Sequence, residues 1–242
     1  MLVLTFSRPE KLNALTSAGL AELAAALDEA GRDEDVRVVV LRGEGRAFCA
    51  GADVGLELAH SDLARANEFL EAIAGVLRRI SLLPKPVIAA VQGHACGGGA
   101  EIALEADLRI VAADAQLWLP DVGIGSTPAS VYQLLRYVGR ARTTAMVLLS
   151  QRLTAADMLS LGMVSAVVPG EELESAAIEL ACALCERTAT SLRLGKQAVR
   201  TADEASRETD LAANIAAMLV CYAGASQQEA AARFTSKPQG SA

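Results

Sequence analysis

The sequence predicts an α/β fold that continues into a helical C-terminal region. Short apolar runs typical of strands alternate with amphipathic helices over most of the 242 residues, and helical patterns dominate the remainder. Val36–Leu41 and Val87–Val91 are almost continuously apolar, which is typical of strands buried on both faces of a parallel sheet. We therefore expect an α/β core at residues 1–174 and a helical region at residues 175–242.

The predicted strands are short segments, rich in apolar or β-branched residues and bounded by turn-forming residues. They are Leu2–Phe6, Val36–Leu41, Val87–Val91, Leu108–Ala112, Gln116–Leu119 and Met163–Val168. Two breaker segments interrupt this pattern early in the chain, Ser7–Lys11 and the small-residue loop Gly43–Gly55.

The predicted helices have recognisable starts and ends. Thr16 or Ser17 can cap a first helix, whose apolar residues recur at helical spacing. A longer helix is expected at about Ser61–Leu82, and Pro84 ends it. The glycine-rich turn Gly93–Gly99 opens into a third helix.

The chain from Pro128 onward is mostly helical, and its last amphipathic helix carries an apolar stripe. The stripe consists of Leu211, Ile215, Met218, Leu219 and Tyr222. It can pack on the core of its own chain or on a neighbouring subunit, and the sequence leaves both possibilities open.

Composition excludes several partners. Lys and Arg total 22 and Asp and Glu total 29, a net charge of −7, and no basic cluster is present, so we expect no nucleic acid as partner. No apolar run approaches the roughly 18 residues of a membrane span, so we expect no membrane either.

The five cysteines lack the spacing of a disulfide framework, and Cys182 and Cys185 form a C-x-x-C without a second pair. We therefore expect reduced thiols and a cytoplasmic location. His60 and His94 are the only histidines, so we expect no metal. Motifs for a dinucleotide or a P-loop are absent, and we expect no cofactor. No G-x-S-x-G motif is present, which argues against a serine hydrolase of that type.

The segment Gly97–Glu101 is the first candidate for chemistry. Three glycines inside a helix would each cost about 1 kcal/mol relative to Ala, so a strand-to-helix junction that a ligand approaches closely suits them better. The unpaired N–H groups of a first helical turn can hold an oxyanion. Glu101 shares a helix face with Gly98, which would aim a carboxylate and an N–H donor into one space. The structural alternative is close glycine packing with Glu101 in solvent.

Two further segments could complete such a site. Phe48–Asp53 is a loop of small residues that could bring a second backbone N–H beside the glycine turn, although alone it is an ordinary tight loop. Asp121 follows a short strand, and Gly123 and Gly125 permit a bend there; alone, Asp121 is a turn residue or a helix cap.

Together these segments resemble the crotonase family, the enoyl-CoA hydratases and isomerases. The resemblance extends over nearly the whole chain. Its motifs are Arg8–Leu15, Ala47–Asp53, Gly93–Ala113, Pro120–Pro128 and Phe234–Pro238. It implies a spiral of ββα units and a C-terminal helical region that assembles homotrimers, often paired into hexamers. It also implies an acyl-CoA substrate, with coenzyme A as part of that substrate.

The resemblance also implies the site residues. The N–H groups of Ala52 and Gly98 would bind the thioester oxygen, and Glu101 and Asp121 would be the catalytic acids. The substrate-binding residues would be Lys11, Leu12, Ala50, Asp53 and Gly97. Hydratases of the family usually carry Glu where this chain has Asp121, whose reach is shorter by one methylene, about 1.5 Å.

The expected activity is hydration of the 2,3 double bond of an enoyl-CoA, with the oxyanion hole stabilising an enolate. An isomerase or a thioester hydrolase on the same scaffold is an alternative, because isomerisation needs one base and Glu101 could supply it. A non-catalytic acyl-CoA-binding subunit is a third possibility.

Overall fold

The computed structural model describes residues 1–58 and 62–203, together with Ala216 and Leu219. The strands are β1 (Leu2–Phe6), β2 (Val39–Gly43), β3 (Val87–Val91), β4 (His94–Cys96), β5 (Leu108–Ala112), β6 (Gln116–Trp118), β7 (Leu153–Thr154) and β8 (Ala166–Val168). The helices are α1 (Ser17–Arg32), α2 (Leu63–Leu82), α3 (Gly98–Glu105), α4 (Val131–Leu149), α5 (Ala155–Ser160), α6 (Leu173–Cys185) and α7 (Ala189–Asp203).

Two sheets organise these elements. A five-stranded sheet has the order β1-β2-β3-β5-β8, and every pair in it is parallel. A smaller sheet has the order β4-β6-β7, in which β4 and β6 are parallel and β6 and β7 antiparallel. The predicted α/β class with a parallel sheet is therefore confirmed.

The large sheet is covered on both faces, which explains its continuous apolar strands. On one face, β2 and β3 pack with α1, α2 and α3 in the main core, which includes Leu27, Val39 and Phe69. On the other face, Val38 and Ile88 pack against α6. Residues on both faces of β2 and β3 are therefore removed from water, which explains the apolar runs in these two strands.

Most predicted elements form where the sequence placed them, and the differences concern strand and helix ends. β1, β3 and β5 have the predicted bounds, whereas β2 begins at Val39 instead of Val36 and β8 at Ala166 instead of Met163. β4 and β7 were not predicted, because segments of three and two residues are too short to show a period.

Side-chain caps start the first two helices. The Oγ1 atom of Thr16 accepts a hydrogen bond from the Gly19 N–H at 3.1 Å, as the sequence predicted. Asp62 caps α2 through a bond from the Arg65 N–H at 2.9 Å. The expected start of that helix, Ser61, lies outside the described residues.

The first part of the helical C-terminal region packs on the core. The expected division between residues 174 and 175 falls in the first turn of α6, whose Ala177 and Ala181 are buried against the large sheet. The Lys196 ammonium of α7 donates to the Asp107 carboxylate at 2.7 Å and to the Ile80 carbonyl at 2.8 Å. The division itself and the role of this region in oligomerisation stay predictions.

One residue of the predicted terminal stripe is described. Leu219 packs against Leu70 and Ala129 of the same chain, so the stripe reaches its own core at this point. The other members of the stripe lie outside the described residues, as do His60, Cys221 and the motif Phe234–Pro238.

The remaining composition-based expectations concern thiols and membranes. Cys49, Cys96, Cys182 and Cys185 are free thiols, and the first two are buried. Within the described ranges, no helix combines the length and apolar character needed to cross a bilayer.

A buried guanidinium ties the end of α3 to the rest of the core. Arg109 is buried and donates to the Ala103 and Leu104 carbonyls, both at 3.1 Å, to the Met163 carbonyl at 2.7 Å and to the Tyr137 hydroxyl at 2.7 Å. The cation thus satisfies the open carbonyls at the C-terminus of α3 and interacts favourably with the helix dipole.

Replacing Arg109 by Met should lower the free energy of unfolding by about 3 kcal/mol, because buried carbonyls would lose their donor. Urea denaturation followed by circular dichroism measures this. The matched control is Arg79→Met, which removes an exposed ion pair with Asp28 and should cost less than about 1 kcal/mol. Equal losses in the two variants would contradict the assignment.

Candidate active site

The loop between Cys49 and Asp53 is held by two neighbouring segments. Cys49 forms a parallel bridge with Ala95, and Ala52 forms one with Leu15. In the second bridge the Asp53 N–H donates to the Leu15 carbonyl at 2.9 Å. The loop is therefore fixed to the backbone on both sides of Ala52.

Glycines permit the contact between this loop and the start of α3. Gly51 has a φ of 86°, and a Cβ atom there would lie 2.7 Å from the Cys96 carbonyl oxygen and 3.4 Å from the Gly98 nitrogen. A Cβ atom on Gly99 would lie 2.3 Å from the Cys49 carbonyl oxygen. Any side chain at either position would force the two segments apart, so their close approach requires glycine.

The N–H groups of Ala52 and Gly98 form no hydrogen bond within the described part of the chain. Gly98 is the first residue of α3, so no preceding turn offers it an acceptor. The Ala52 N–H shares a planar peptide group with the Gly51 carbonyl, which accepts from the Leu15 N–H at 2.7 Å. Because the two ends of a trans peptide point in opposite directions, the Ala52 N–H points away from Leu15. Both predicted donors thus lie beside the contact between the loop 49–53 and the start of α3, and both are available to a ligand.

Glu101 is buried, which excludes the alternative of a solvated acid. Its Oε1 atom accepts hydrogen bonds from the N–H groups of Ala129 at 2.6 Å and Ser130 at 3.0 Å. Ser130 occupies the N-cap position of α4, so the carboxyl lies at the N-terminus of that helix. Sequence reasoning did not identify Ala129 and Ser130, although Pro128 and Ser130 before an apolar run do signal a helix start.

Asp121 begins the 3-10 turn Asp121–Ile124, whose end is closed by a bond from the Ser126 N–H to the Asp121 carbonyl at 2.7 Å. Gly125 adopts a left-handed conformation there, with a φ of 79°. The Oδ2 atom of Asp121 is inaccessible to solvent and has no hydrogen-bond partner among the described residues. A buried acceptor of this kind is suited to a substrate group or a water molecule.

The two carboxyl groups influence each other's protonation. Burial raises the pKa of Glu101, and the nearby Asp121 charge raises it further, although the two N–H bonds act in the opposite direction. Burial also raises the pKa of Asp121. Two such carboxyls resist ionising together, so the pair tends to keep one proton at a pH where exposed acids have lost theirs.

Three of the expected substrate-binding residues lie together beside the loop. The Leu12 carbonyl accepts a hydrogen bond from the Ala50 N–H at 3.0 Å, and Leu12 has a φ of 51°. Lys11 is the neighbouring residue, at the end of the 3-10 turn Pro9–Lys11, and its side chain is exposed. An exposed cation at this place is free to meet an anionic ligand.

The other two expected substrate-binding residues already have protein partners. The Asp53 carboxylate pairs with the Arg8 guanidinium at 3.1 Å. The Gly97 N–H donates to the Trp118 carbonyl at 3.1 Å, and the backbone of Gly97 has a φ of 50°. Gly97 therefore orients the turn into α3, while its carbonyl accepts from the Glu101 N–H at 3.0 Å.

Comparison with known proteins identifies relatives over the full length. A model of the enoyl-CoA hydratase/isomerase family matches residues 1–240. The chain is 35% identical over 238 residues to the short-chain-enoyl-CoA hydratase of Clostridium acetobutylicum, covering 97% of this chain and 91% of the relative. It is also 35% identical over 218 residues to the 1,2-epoxyphenylacetyl-CoA isomerase of Escherichia coli K12, covering 87% of this chain and 82% of the relative.

A solved structure supports the same relationship. The crystal structure of an enoyl-CoA hydratase from Mycobacterium avium subsp. paratuberculosis K-10 matches with a TM-score of 0.88 at 31% identity, over 97% of this chain and 92% of that chain. The predicted crotonase-like architecture is therefore confirmed.

The raised carboxyl pKa values predict a pH dependence of stability. The folded state keeps protons that the unfolded chain releases above about pH 4, so the contribution of these groups to stability falls as pH rises through the folded pKa values. The free energy of unfolding of Asp121→Asn, measured relative to the parent protein, should therefore rise by about 2 kcal/mol from pH 5 to pH 8. Urea titrations at the two pH values measure the difference.

The matched control is Asp157→Asn. Hydrogen bonds from Thr154 lower the pKa of Asp157, so its stabilising effect disappears only as pH falls below the ordinary range of a carboxyl group. That variant should differ from the parent by the same amount at pH 5 and at pH 8. A constant effect of Asp121→Asn as well would contradict the raised pKa.

Proposed function

Because the chain belongs to the enoyl-CoA hydratase/isomerase family, we propose that it adds water across the 2,3 double bond of an enoyl-CoA thioester. The observation that carries this proposal is a pair of neighbouring acids, the buried Glu101 and the partly buried Asp121, in a chain whose Ala52 and Gly98 N–H groups have no partner among the described residues. Isomerisation needs a single base, whereas hydration needs one group that accepts a proton from water and a second group that donates a proton to Cα.

The two N–H groups would bind the thioester oxygen. Addition of water at Cβ moves the electrons of the double bond toward the carbonyl, so negative charge builds up on that oxygen. Preorganised donors stabilise this charge more than they stabilise the substrate, which lowers the barrier. Gly98 adds the positive end of the α3 dipole to this effect.

The two acids would divide the proton transfers. One carboxylate accepts a proton from water while the water oxygen bonds to Cβ, and the other carboxyl donates a proton to Cα, so that H and OH are added overall. The backbone N–H groups of Ala129 and Ser130 hold one oxygen of Glu101 in place. The tendency of the pair to keep one proton supplies one acid and one base together.

The rest of the site would bind the coenzyme A portion of the substrate. The exposed Lys11, with the backbone of Leu12 and Ala50, lies beside the loop that carries Ala52. Lys11 could meet a phosphate of coenzyme A despite the net charge of −7. We further propose a cytoplasmic homotrimer or dimer of trimers, with coenzyme A entering only as part of the substrate.

The direct test is crotonyl-CoA hydration, followed as loss of the absorbance of the conjugated thioester. The parent protein should turn over, and Glu101→Gln should lower kcat roughly a thousandfold, since a positioned acid or base contributes about 10²- to 10⁴-fold. Glu105→Gln, which changes another buried glutamate of α3, is the control for burial. Absence of turnover with short, medium and aromatic enoyl-CoA substrates would refute hydration.

An isomerase is the second candidate, favoured by the similarity to 1,2-epoxyphenylacetyl-CoA isomerase. Asp121→Asn distinguishes the two, because a hydratase should lose several orders of magnitude in kcat, whereas an isomerase using Glu101 alone should keep nearly all of its rate. Calorimetric binding of an acyl-CoA without turnover of any substrate would indicate a non-catalytic subunit instead.

A further inference from the structure

The segment between Arg8 and Leu15 is locked against the end of β2. Asn13 is buried with a φ of 59°, and its side-chain amide donates to the Ala47 carbonyl at 2.8 Å and to the Glu44 carbonyl at 2.9 Å. The Asn13 side-chain oxygen accepts from the Arg8 N–H at 2.9 Å. This arrangement fixes where the Arg8 side chain can reach.

The Arg8 guanidinium begins a chain of hydrogen bonds that ends at the candidate oxyanion hole. Its Nη1 donates to the Ala14 carbonyl at 2.8 Å, and that carbonyl shares a peptide group with the Leu15 N–H. The Leu15 N–H donates to the Gly51 carbonyl at 2.7 Å, and that carbonyl shares a peptide group with the Ala52 N–H. One cation and two peptide groups thus lead in sequence to the Ala52 donor.

The same side chain also holds the residue that follows Ala52. The second terminal nitrogen of Arg8 pairs with the Asp53 carboxylate at 3.1 Å, while the Asp53 N–H donates to the Leu15 carbonyl at 2.9 Å. Ala52 is therefore bracketed on both sides by groups that Arg8 or Leu15 contacts. Rotation of its peptide group would break bonds at both ends.

We infer that Arg8 is a positioning residue, which orients and polarises the Ala52 N–H through the peptide groups of residues 14–15 and 51–52. A hydrogen bond to a carbonyl makes the N–H of the same peptide group a stronger donor, and such chains reinforce one another. A charged donor at the start makes the first bond stronger than a neutral one would. The effect is moderate because the Arg8 side chain is 36% exposed and solvent screens part of its charge.

This inference rests on the proposed function, since it assumes that Ala52 binds the thioester oxygen. Removing an oxyanion donor outright costs roughly 100-fold or more in kcat. Because Arg8 acts on the donor indirectly, Arg8→Met should lower kcat about tenfold and change KM less than about twofold.

A spectroscopic measurement separates this role from a structural one. The absorption of para-dimethylaminocinnamoyl-CoA shifts to longer wavelength when its carbonyl oxygen accepts strong hydrogen bonds, and the shift requires binding but no turnover. Bound to the parent protein it should show this shift, which should be smaller in Arg8→Met. Arg8→Lys keeps the charge but not the two-pronged geometry, so its shift and kcat should be intermediate; it also serves as the test if Arg8→Met does not fold.

The matched control is Arg79→Met. Arg79 also binds one carboxylate, that of Asp28 at 3.0 Å, and one backbone carbonyl, that of Gly75 at 3.2 Å, with a similar exposed fraction of 41%. It lies on α2 in no such chain, so this variant should keep the parent shift, kcat and KM.

Each of the remaining outcomes would refute the role of Arg8, the proposed function or both. Parent-like shift and kcat in both Arg8 variants would overturn the inference, as would a raised KM with unchanged kcat, which would make Arg8 a substrate-binding residue. If the parent shifts the chromophore but hydrates no enoyl-CoA, the proposed function fails, and the comparison of shifts still decides the role of Arg8. If the parent binds the chromophore without a shift, both proposals fail.

Discussion

The backbone of the loop 49–53 contacts the backbone at the first turn of α3. The two segments lie closer together than any side chain at Gly51 or Gly99 would allow. A Cβ atom on Gly51 or Gly99 would lie well inside the contact distance of the opposite carbonyl oxygen. The glycines at both places make this approach possible, and the strands and bridges around them hold it. The Ala52 and Gly98 N–H groups, which have no partner within the described ranges, take their positions from this contact, and so does the candidate oxyanion hole.

Burial of Glu101 is the second feature of the site, and it follows from the first. The contact sets α3 so that Glu101 faces the start of α4, where two N–H groups satisfy one of its oxygens. Asp121 has no such compensation at its Oδ2 atom within the described residues. A bound substrate or water molecule would supply this oxygen with a partner.

The chain and its relatives share an architecture. The family resemblance of the sequence implies a glutamate where this chain has Asp121. An aspartate is shorter by about 1.5 Å, a displacement large enough to change rates when a proton must be transferred. The 3-10 turn at residues 121–124 and the bond from Ser126 set where this shorter side chain begins. Local backbone placement therefore matters here as much as side-chain identity.

Hydrophobic periodicity, capping chemistry and glycine spacing are local properties of a chain. The amino-acid sequence therefore predicts the α/β class, the strands β1, β3 and β5, the cap of α1 and the motifs around Ala52, Gly98 and Glu101. The folded structure alone shows that the Ala129 and Ser130 N–H groups bind Glu101 and that Arg8 pairs with Asp53, beside Ala52. These contacts join residues 28 to 45 positions apart, and no local pattern records which distant backbone groups meet. β4 and β7 were undetermined for the opposite reason, since so few residues carry no period and form strands only when a neighbour pairs with them.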